Sequence, residues 1–328
     1  MSIMLTVVIT DFNRKEYIKD STLSALNQTL NKNEYEVIVS KTYRNNEIDE
    51  FLKEKGVTVI TEENPINNSF LAKAIEISSG KILCFLDDDD LFTPWKLEFV
   101  VNSFNNNDRL GYIKNANIGF VDNQIPEKIP ESKNYSEIYI KNEEKKTNFF
   151  HFMRYQPDGN SSSICIKKNI LSNFTNLLYE INTAVDSFYF YSALSSHYDL
   201  LITPRVLTLR RYHYNNMSAL YAKEFEKWLE KRKIFLNDYI KSLTIIRDKI
   251  ATQNPFYNYL SFQISINKIY LSMLPGCKNK PDFSDYLAWL KLYKSNLKGI
   301  LSALITLGPE PLKTKYARRL YKKSSQII

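Results

Sequence analysis

Residues 82–90 read ILCFLDDDD, a run of five apolar side chains followed at once by four aspartates. Five consecutive apolar residues are typical of a strand that is buried on both faces. Four adjacent carboxylates repel one another, so their ionised form needs compensating positive charge. Mg²⁺ or Mn²⁺ would supply that charge, since both ions prefer oxygen ligands. The alternative is that the aspartates only cap a helix that begins near Pro94.

Strand and helix patterns alternate around this run throughout the first 110 residues. The predicted strands cover 5–10, 36–39, 57–61 and 82–86, and the predicted helices cover 16–29, 46–55, 69–79 and 94–104. Alternation of this kind predicts an α/β fold with a parallel sheet covered by helices on both faces. Ligands of such sheets bind at the carboxyl ends of the strands, which is where the aspartates lie.

The remaining sequence divides into a mixed region and a helical region. Residues 111–218 contain predicted strands at 111–120 and 162–167, a loop-rich stretch at 127–146 and a predicted helix at 183–194. Long helical patterns follow at 224–249, 257–274 and 284–307. We therefore predict three parts, at 1–110, 111–218 and 219–328.

Composition and charge restrict the class of protein. The chain has 328 residues, of which 44% are hydrophobic, which excludes a disordered or collagen-like chain. Residues 221–328 carry 20 basic and 8 acidic side chains, whereas residues 1–220 carry 24 and 28. This uneven charge argues against nucleic-acid binding by the whole chain. The N-terminus lacks a basic segment and a cleavage site, so we expect a cytoplasmic protein.

The three cysteines are Cys84, Cys165 and Cys277. They are odd in number, far apart and outside any Cys-x-x-Cys pattern, so we expect neither a disulfide framework nor a zinc site. A reducing cytoplasmic compartment fits this expectation. Cys84 and Cys165 lie in apolar runs, which predicts that they are small core residues on strands.

Two segments carry a resemblance to a known family. Residues 7–14 read VVITDFNR, and residues 86–90 read LDDDD. Together with the strand at 36–39 they resemble a family 2 glycosyltransferase of the GT-A fold, whose first strand leads into a Pro-Thr-Tyr-Asn-Arg-like turn and whose fourth strand ends in Leu-Asp-x-Asp-Asp. The resemblance covers roughly residues 3–110 and extends more weakly to 218. It implies a Rossmann-like, mostly parallel sheet and metal-dependent, inverting sugar transfer from a nucleotide-sugar donor to an acceptor hydroxyl.

The resemblance also implies which residues form the donor site. Residues 209–218, LRRYHYNNMS, resemble the family segment that closes over the donor diphosphate, and a basic surface turn is the alternative. The implied donor-binding residues are Thr10, Asp11, Phe12, Asn13, Arg14, Lys41, Asp87, Asp88, Arg210 and Arg211. The implied ligands of Mg²⁺ or Mn²⁺ are Asp87, Asp89 and His213.

Asp186 is the implied catalytic base. Residues 184–186 read AVD, where the family usually has Glu-Asp, so the aspartate is kept and Val185 replaces the glutamate. Inverting transfer needs one carboxylate that takes the proton of the acceptor hydroxyl. The alternative is an aspartate that only stabilises the N-terminus of a helix.

Other positions depart from the family pattern. The second strand usually ends in Asp-Asp-Gly-Ser, whereas residues 41–44 read KTYR. The first family aspartate accepts a hydrogen bond from the nucleotide base, and a charged lysine cannot do so. We hypothesise that Asp11 has taken over this role, and the alternative is that Asp11 pairs with Lys41. Leu71 and Ala72 stand where the family has Arg-Asn.

These departures leave two other readings open. One is a non-catalytic GT-A relative that binds a nucleotide sugar or a glycan. The other is a phosphatase of the haloacid dehalogenase type, which we disfavour because its Asp-x-Asp motif belongs on the first strand.

The C-terminal stretch combines apolar and basic side chains. Residues 297–307 are apolar but too short to span a bilayer, and the basic tail that follows contains Lys313, Lys315, Arg318, Arg319, Lys322 and Lys323. This combination predicts contact with an anionic membrane surface, which would hold the protein peripherally on the cytoplasmic face near a glycan or lipid-linked acceptor. The alternative is a solvated basic helix.

Overall fold

A computed structural model describes residues 3–12, 15–213, 224–277, 280–294 and 297–324. The chain forms two compact units, Met1–Arg211 and Tyr212–Ile328. The predicted division of the first unit near residue 110 stays a prediction.

The first unit contains strands and helices in alternation. Its strands, of which the last ends one residue into the second unit, are β1 (Leu5–Asp11), β2 (Tyr35–Lys41), β3 (Thr58–Thr61), β4 (Ile82–Asp87), β5 (Leu91–Phe92), β6 (Leu110–Val121), β7 (Ile138–Ile140), β8 (Ile164–Lys167) and β9 (Asp199–Tyr212). Its helices are α1 (Ile18–Leu26), α2 (Asn46–Glu54), α3 (Ser69–Ile77), α4 (Lys96–Asn105), α5 (Phe149–Phe152), α6 (Lys168–Ser172) and α7 (Val185–Ser195).

The strands form one mixed sheet in the order β3-β2-β1-β4-β8-β6-β9-β5, with β7 paired to β9. β1 is parallel to both β2 and β4, and β2 is parallel to β3, whereas β8 is antiparallel to β4 and β6. The register sets Asp11 beside Lys41 and Thr10 beside Asp87. The carboxyl ends of β1, β2 and β4 therefore meet at one edge, as the alternating pattern predicts.

The aspartate run follows the buried strand that the sequence predicts. Residues Ile82 to Leu86 of β4 are at most 4% exposed, because β1 and β8 cover its two edges and helices cover its faces. This strand belongs to a large apolar cluster that also contains residues of β1, β2, α1 and α4. The rigidity of that core supports the loop that begins at Asp87.

The expectation that no disulfide forms is wrong. Cys84 and Cys165 are bonded, with their Cα atoms 4.2 Å apart, because β4 and β8 pair antiparallel and place the two residues directly opposite each other. Their positions 81 residues apart in sequence do not reveal this pairing. The prediction that both are buried strand residues is confirmed. The cysteines consequently give no support to a reducing compartment.

β9 is a strand that the sequence analysis does not predict. It runs for 14 residues, and its last four, 209–212, are the first four of the ten residues interpreted as the segment that closes over the donor. Pro204 lies inside it, and a proline ordinarily argues against a strand interior. β7 and an isolated bridge from Ser132 to Arg205 pair with β9, so the loop-rich stretch at 127–146 also contributes to the sheet.

The second unit is helical, as predicted. Its helices are α8 (Phe225–Lys249), α9 (Phe256–Ser272), α10 (Phe283–Leu292), α11 (Leu297–Leu304) and α12 (Glu310–Ser324). The single helix predicted at 284–307 is wrong, since the backbone turns to a left-handed conformation at Lys294 and α11 begins anew at Leu297. Within the described part of the chain, no helix has both the length and the apolar character that a membrane crossing requires.

Candidate functional site

The loop after β4 gathers three carboxylates. Asp87, Asp89 and Asp90 each place one oxygen within 4.8 Å of the others. Asp89 and Asp90 are buried, and burial together with the charge of Asp89 raises the pKa of Asp90 to about 6. Three carboxylate oxygens at this spacing suit Mg²⁺ or Mn²⁺, which prefer oxygen ligands. The cluster therefore fits a divalent cation, and Asp90 is a ligand candidate that the sequence analysis does not identify.

Arg211 braces this loop from β9. Its backbone N–H donates to Asp90 Oδ1 at 2.9 Å, and its Nε donates to the carbonyl of Asp89 at 2.9 Å. The guanidinium also donates to Asp20 at 3.0 Å and lies 4.1 Å from the centre of the Tyr17 ring. The side chain is fully buried. These contacts favour a positioning role for Arg211 over the predicted direct contact with a donor diphosphate.

Asp186 lies at the start of α7. The helix begins after Ala184, whose φ of 60° is left-handed. The carboxylate of Asp186 accepts hydrogen bonds from the backbone N–H groups of Ser187, at 2.9 Å, and Asn160, at 3.1 Å. Burial is the main cause that raises the pKa of Asp186 above its usual range. A carboxylate with a raised pKa is a stronger proton acceptor, which suits a general base.

Asn160 joins Asp186 to the aspartate loop. While its backbone N–H donates to Asp186, its side-chain Nδ2 donates to Asp90 Oδ2 at 3.0 Å. Ser163 Oγ donates to Asn160 Oδ1 at 2.7 Å and so fixes the amide orientation. The backbone of Asn160 is left-handed, with φ of 61°, a conformation that Asn tolerates better than most residues. One residue therefore connects the candidate base to the candidate metal ligands.

A lysine and a second carboxylate complete this group. Lys114 on β6 donates to the carbonyls of Gly159 and Asn160. Burial lowers the pKa of Lys114 to about 8, although the charges of Asp186 and Asp158 oppose this shift. Burial and the charge of Asp186 raise the pKa of Asp158 to about 6. Asp158 thus adds a second carboxylate near the candidate base Asp186, whose neighbour in the chain is the apolar Val185.

Asp158, Asn160 and Lys114 are site candidates that the sequence alone does not reveal. Residues 157–160 read PDGN, which signals a turn and nothing more specific. Their function depends on the fold bringing β6, this turn and α7 together. No short motif in the sequence records that arrangement.

On the donor side, Asp11 contacts Tyr43 and Lys41 contacts Asp49. The Tyr43 hydroxyl donates to Asp11 Oδ2, and the Lys41 ammonium forms a 2.8 Å ion pair with Asp49. Lys41 also donates to the carbonyl of Tyr43. Burial and the hydrogen bond to Asp11 raise the pKa of Tyr43, so its hydroxyl remains a proton donor. Asp11 and Lys41 are both fully buried under this network.

The other predicted site residues are more dispersed. Thr10 accepts a hydrogen bond from the N–H of the buried Asp88 at 3.2 Å, whereas Phe12 is 47% exposed. Arg210 is partly exposed, and its charge acts on Lys114. His213 is buried just after β9, and its role stays a prediction. Asn13, Arg14 and residues 214–218 lie outside the described residues.

A family model and a curated relative both match this chain, and both are described as glycosyltransferases. The family model described as Glycosyl transferase family 2 matches residues 6–176, slightly more than half of this chain. An uncharacterized glycosyltransferase of Methanocaldococcus jannaschii is 22% identical over 315 residues, covering 92% of this chain and 89% of the relative.

Solved structures share the fold at low sequence identity. The TarS 1–349 fragment of S. aureus in complex with UDP-GlcNAc has a TM-score of 0.55 and 12% identity, over 96% of this chain and 92% of that chain. The mannosyltransferase PcManGT of Pyrobaculum calidifontis, in complex with GDP-Man and Mn²⁺, has a TM-score of 0.56 and 13% identity, over all of this chain and 87% of its own. These similarities confirm the predicted GT-A-type α/β fold with a helical C-terminal region.

Proposed function

Since the chain belongs to glycosyl transferase family 2, we propose that it transfers a sugar from a nucleotide-sugar donor to an acceptor hydroxyl. The observation that carries this proposal is the Asn160 bridge, which holds the candidate base Asp186 in one hydrogen-bonded group with the aspartate loop. A donor diphosphate on one side and an acceptor hydroxyl on the other would meet across this bridge.

The aspartate loop would hold the donor diphosphate through a divalent cation. Asp87 and Asp89 would be its ligands, with Asp90 beside them and His213 as a further candidate. When bound, Mg²⁺ or Mn²⁺ neutralises the negative charge that develops on a leaving diphosphate. The structure of the mannosyltransferase PcManGT is a complex with GDP-Man and Mn²⁺, which supports the same class of ion here. Arg211 keeps the loop in position through its hydrogen bonds to Asp89 and Asp90.

Asp186 would act as the base of a single, inverting displacement. It takes the proton of the acceptor hydroxyl while the oxygen of that hydroxyl forms a bond to the anomeric carbon. The bond from the anomeric carbon to the diphosphate oxygen breaks at the same time, and the diphosphate leaves with the electron pair. The raised pKa of Asp186 suits this proton transfer, because it brings the carboxylate closer to the operating pH.

Asp11 and Tyr43 would recognise the nucleotide base in place of the family aspartate. Lys41 is paired with Asp49, so it is held away from that task, while Tyr43 fixes the Asp11 carboxylate. Thr10, Phe12, Asn13, Arg14, Asp88 and Arg210 remain proposed contacts of the donor. The neighbouring structures contain UDP-GlcNAc and GDP-Man, so a hexose donor is a reasonable first test.

We place the reaction at the surface of a membrane, with a glycan or a lipid-linked glycan as the acceptor. The basic, apolar C-terminal stretch supports this proposal. Nucleic acid is not among the proposed partners.

The decisive experiment measures donor hydrolysis and transfer for UDP-, GDP-, TDP- and CMP-sugars with Mn²⁺ or Mg²⁺. We expect turnover with one nucleotide class, and we expect Asp186→Asn to lower kcat by roughly 10²- to 10⁴-fold with little change in donor affinity. Near wild-type turnover of Asp186→Asn would refute the assignment of the base.

The second candidate function is a non-catalytic relative that binds nucleotide sugars or glycans. Lys41 and Val185 favour it, since both replace acidic residues of the family pattern. Donor binding without any hydrolysis, for every donor and metal tested, would establish this alternative.

A further inference from the structure

Within the second unit, α11 and the turn that follows it pack against α10 through small and polar residues. Trp289 Nε1 donates to the carbonyl of Gly299 and to Ser302 Oγ, both at 3.1 Å. The hydroxyls of Tyr286 and Thr306 are hydrogen-bonded at 2.7 Å. A Cβ atom added to Gly299 would lie 2.4 Å from Tyr293 Cβ, so the glycine allows the close approach. The inward face of this segment is therefore the less apolar one.

The outward face carries large aliphatic side chains. They are Leu297 (71% exposed), Ile300 (43%), Leu301 (55%), Leu304 (52%) and Leu307 (74%), which follows α11 directly. Their spacing of three, one, three and three residues places them along one side of a helix. α10 adds Phe283 at 77% and Leu287 at 51%. Surface helices normally show the reverse pattern, so this outward face indicates an interaction surface.

Helix α12 follows this apolar face and is strongly basic. Four of its cations, Lys315, Arg318, Arg319 and Lys322, line an open groove along the helix together with Glu310. Of these cations, Arg318 also forms a 3.6 Å ion pair with Glu226 on α8. Leu312, at its first turn, is 43% exposed. Among residues 297–324, Glu310 is the only acidic one in the sequence. The chain thus passes directly from exposed leucines to a row of positive charges.

We propose that α11 and α12 form a docking surface for an anionic lipid bilayer. The aliphatic side chains of α11 enter the boundary between headgroups and acyl chains, and the cations of α12 contact the lipid phosphates. Charge favours a bilayer over a second copy of the chain, because two copies of the same surface would bring two sets of cations together. A nucleic acid would match the cations but not the leucines.

This inference rests on the proposed function in one respect: an acceptor that lies in the membrane would explain why the chain binds a bilayer. Its test does not depend on catalysis. The full chain is floated with vesicles of phosphatidylcholine alone and with vesicles that also contain phosphatidylglycerol. We expect recovery with the anionic vesicles, weaker recovery with the neutral ones, and loss of binding at high salt.

Two double variants separate the contributions. Leu301→Gln with Leu304→Gln should lower the vesicle partition coefficient by roughly 25-fold, about fivefold for each half-exposed leucine. Its control is Ile66→Gln with Ile125→Gln, two isoleucines of the first unit that are 65% and 48% exposed. Lys315→Gln with Arg319→Gln should cost a similar factor, about fivefold for each charge. Its control is Lys53→Gln with Lys55→Gln, two exposed lysines of the first unit.

Several results would overturn the proposal. They are equal recovery with neutral and anionic vesicles, wild-type flotation of the leucine variant, and self-association in solution that the leucine variant abolishes while flotation is absent. The last result would identify a second copy as the occupant. Donor hydrolysis without vesicles tests the proposed function separately, and both double variants should retain it. Flotation without hydrolysis would refute the transferase and still support the docking surface.

Discussion

Replacing Asn160 tests whether the bridge between Asp186 and the aspartate loop positions the base. Asn160→Ala removes the 3.0 Å hydrogen bond to Asp90 and places alanine at a φ of 61°. A hydrogen bond to a charged group contributes about 1.5–3 kcal/mol, and a left-handed alanine costs about 1–2 kcal/mol. We therefore expect the free energy of unfolding to fall by about 3 kcal/mol.

The catalytic effect should exceed what destabilisation alone explains. If half of the lost hydrogen-bond energy, about 0.75–1.5 kcal/mol, served to position Asp186, kcat would fall by roughly 4- to 13-fold, because about 1.4 kcal/mol corresponds to one factor of ten. KM for the donor should change less, since the donor contacts remain. Asn160→Gly separates the two causes, because glycine accepts the left-handed backbone but still lacks the amide.

Asn67 provides a matched control. It also has a left-handed backbone, with φ of 52°, and its Nδ2 donates to the carbonyl of Tyr179 at 2.7 Å. Asn67→Ala should lower stability by a similar amount and leave kcat unchanged. The assay combines urea unfolding with steady-state donor turnover. If Asn160→Ala and Asn67→Ala gave equal stability and equal kcat, the bridge would have no positioning role.

Three further substitutions address the rest of the site. Tyr43→Phe leaves the buried Asp11 carboxylate without its hydroxyl donor, so nucleotide affinity should fall by about 10-fold in calorimetric titration, and unchanged affinity would exclude this pair from base recognition. Arg211→Met removes the guanidinium donors to the carbonyls of Asp89 and Asp122 and to the Asp20 carboxylate, so it should lower the free energy of unfolding by about 2–4 kcal/mol, whereas a change below about 1 kcal/mol would contradict the bracing role. Asp158→Asn tests a pH effect: because the folded-state pKa of about 6 exceeds the usual 3.8, the ionised Asp158 weakens folding progressively as pH rises between these values. The asparagine variant should match the wild type near pH 4 and be about 1–3 kcal/mol more stable above pH 6, and a constant difference across that range would refute the assignment.

The parallel half of the sheet was predictable because its signals are local. β1, β2 and β4 are short apolar runs, and each ends at polar residues that mark the binding edge. Asn45 caps α2 by accepting from the N–H of Ile48 at 3.0 Å, a standard local signal. Patterns of this kind depend on neighbours within a few residues.

The remaining features depend on partners that are distant in sequence. Arg211 contacts Asp20, which lies 191 residues away, and Asn160 contacts Asp90, which lies 70 residues away. β9 forms despite Pro204 because strands on both sides pair with it. Contacts between residues so far apart in sequence form only in the completed fold, so no local periodicity or motif spacing predicts them.

The disulfide between Cys84 and Cys165 has a consequence for how accurately the site is assembled. Asp87 lies three residues beyond one cysteine and Ser162 three residues before the other, and the N–H of Asp87 donates to Ser162 Oγ at 3.0 Å. A slip of one residue between paired strands would turn every side chain to the opposite face. The covalent bond forbids that slip. The disulfide therefore fixes the register between β4 and β8, and with it the position of the aspartate loop relative to the turn that carries Asn160.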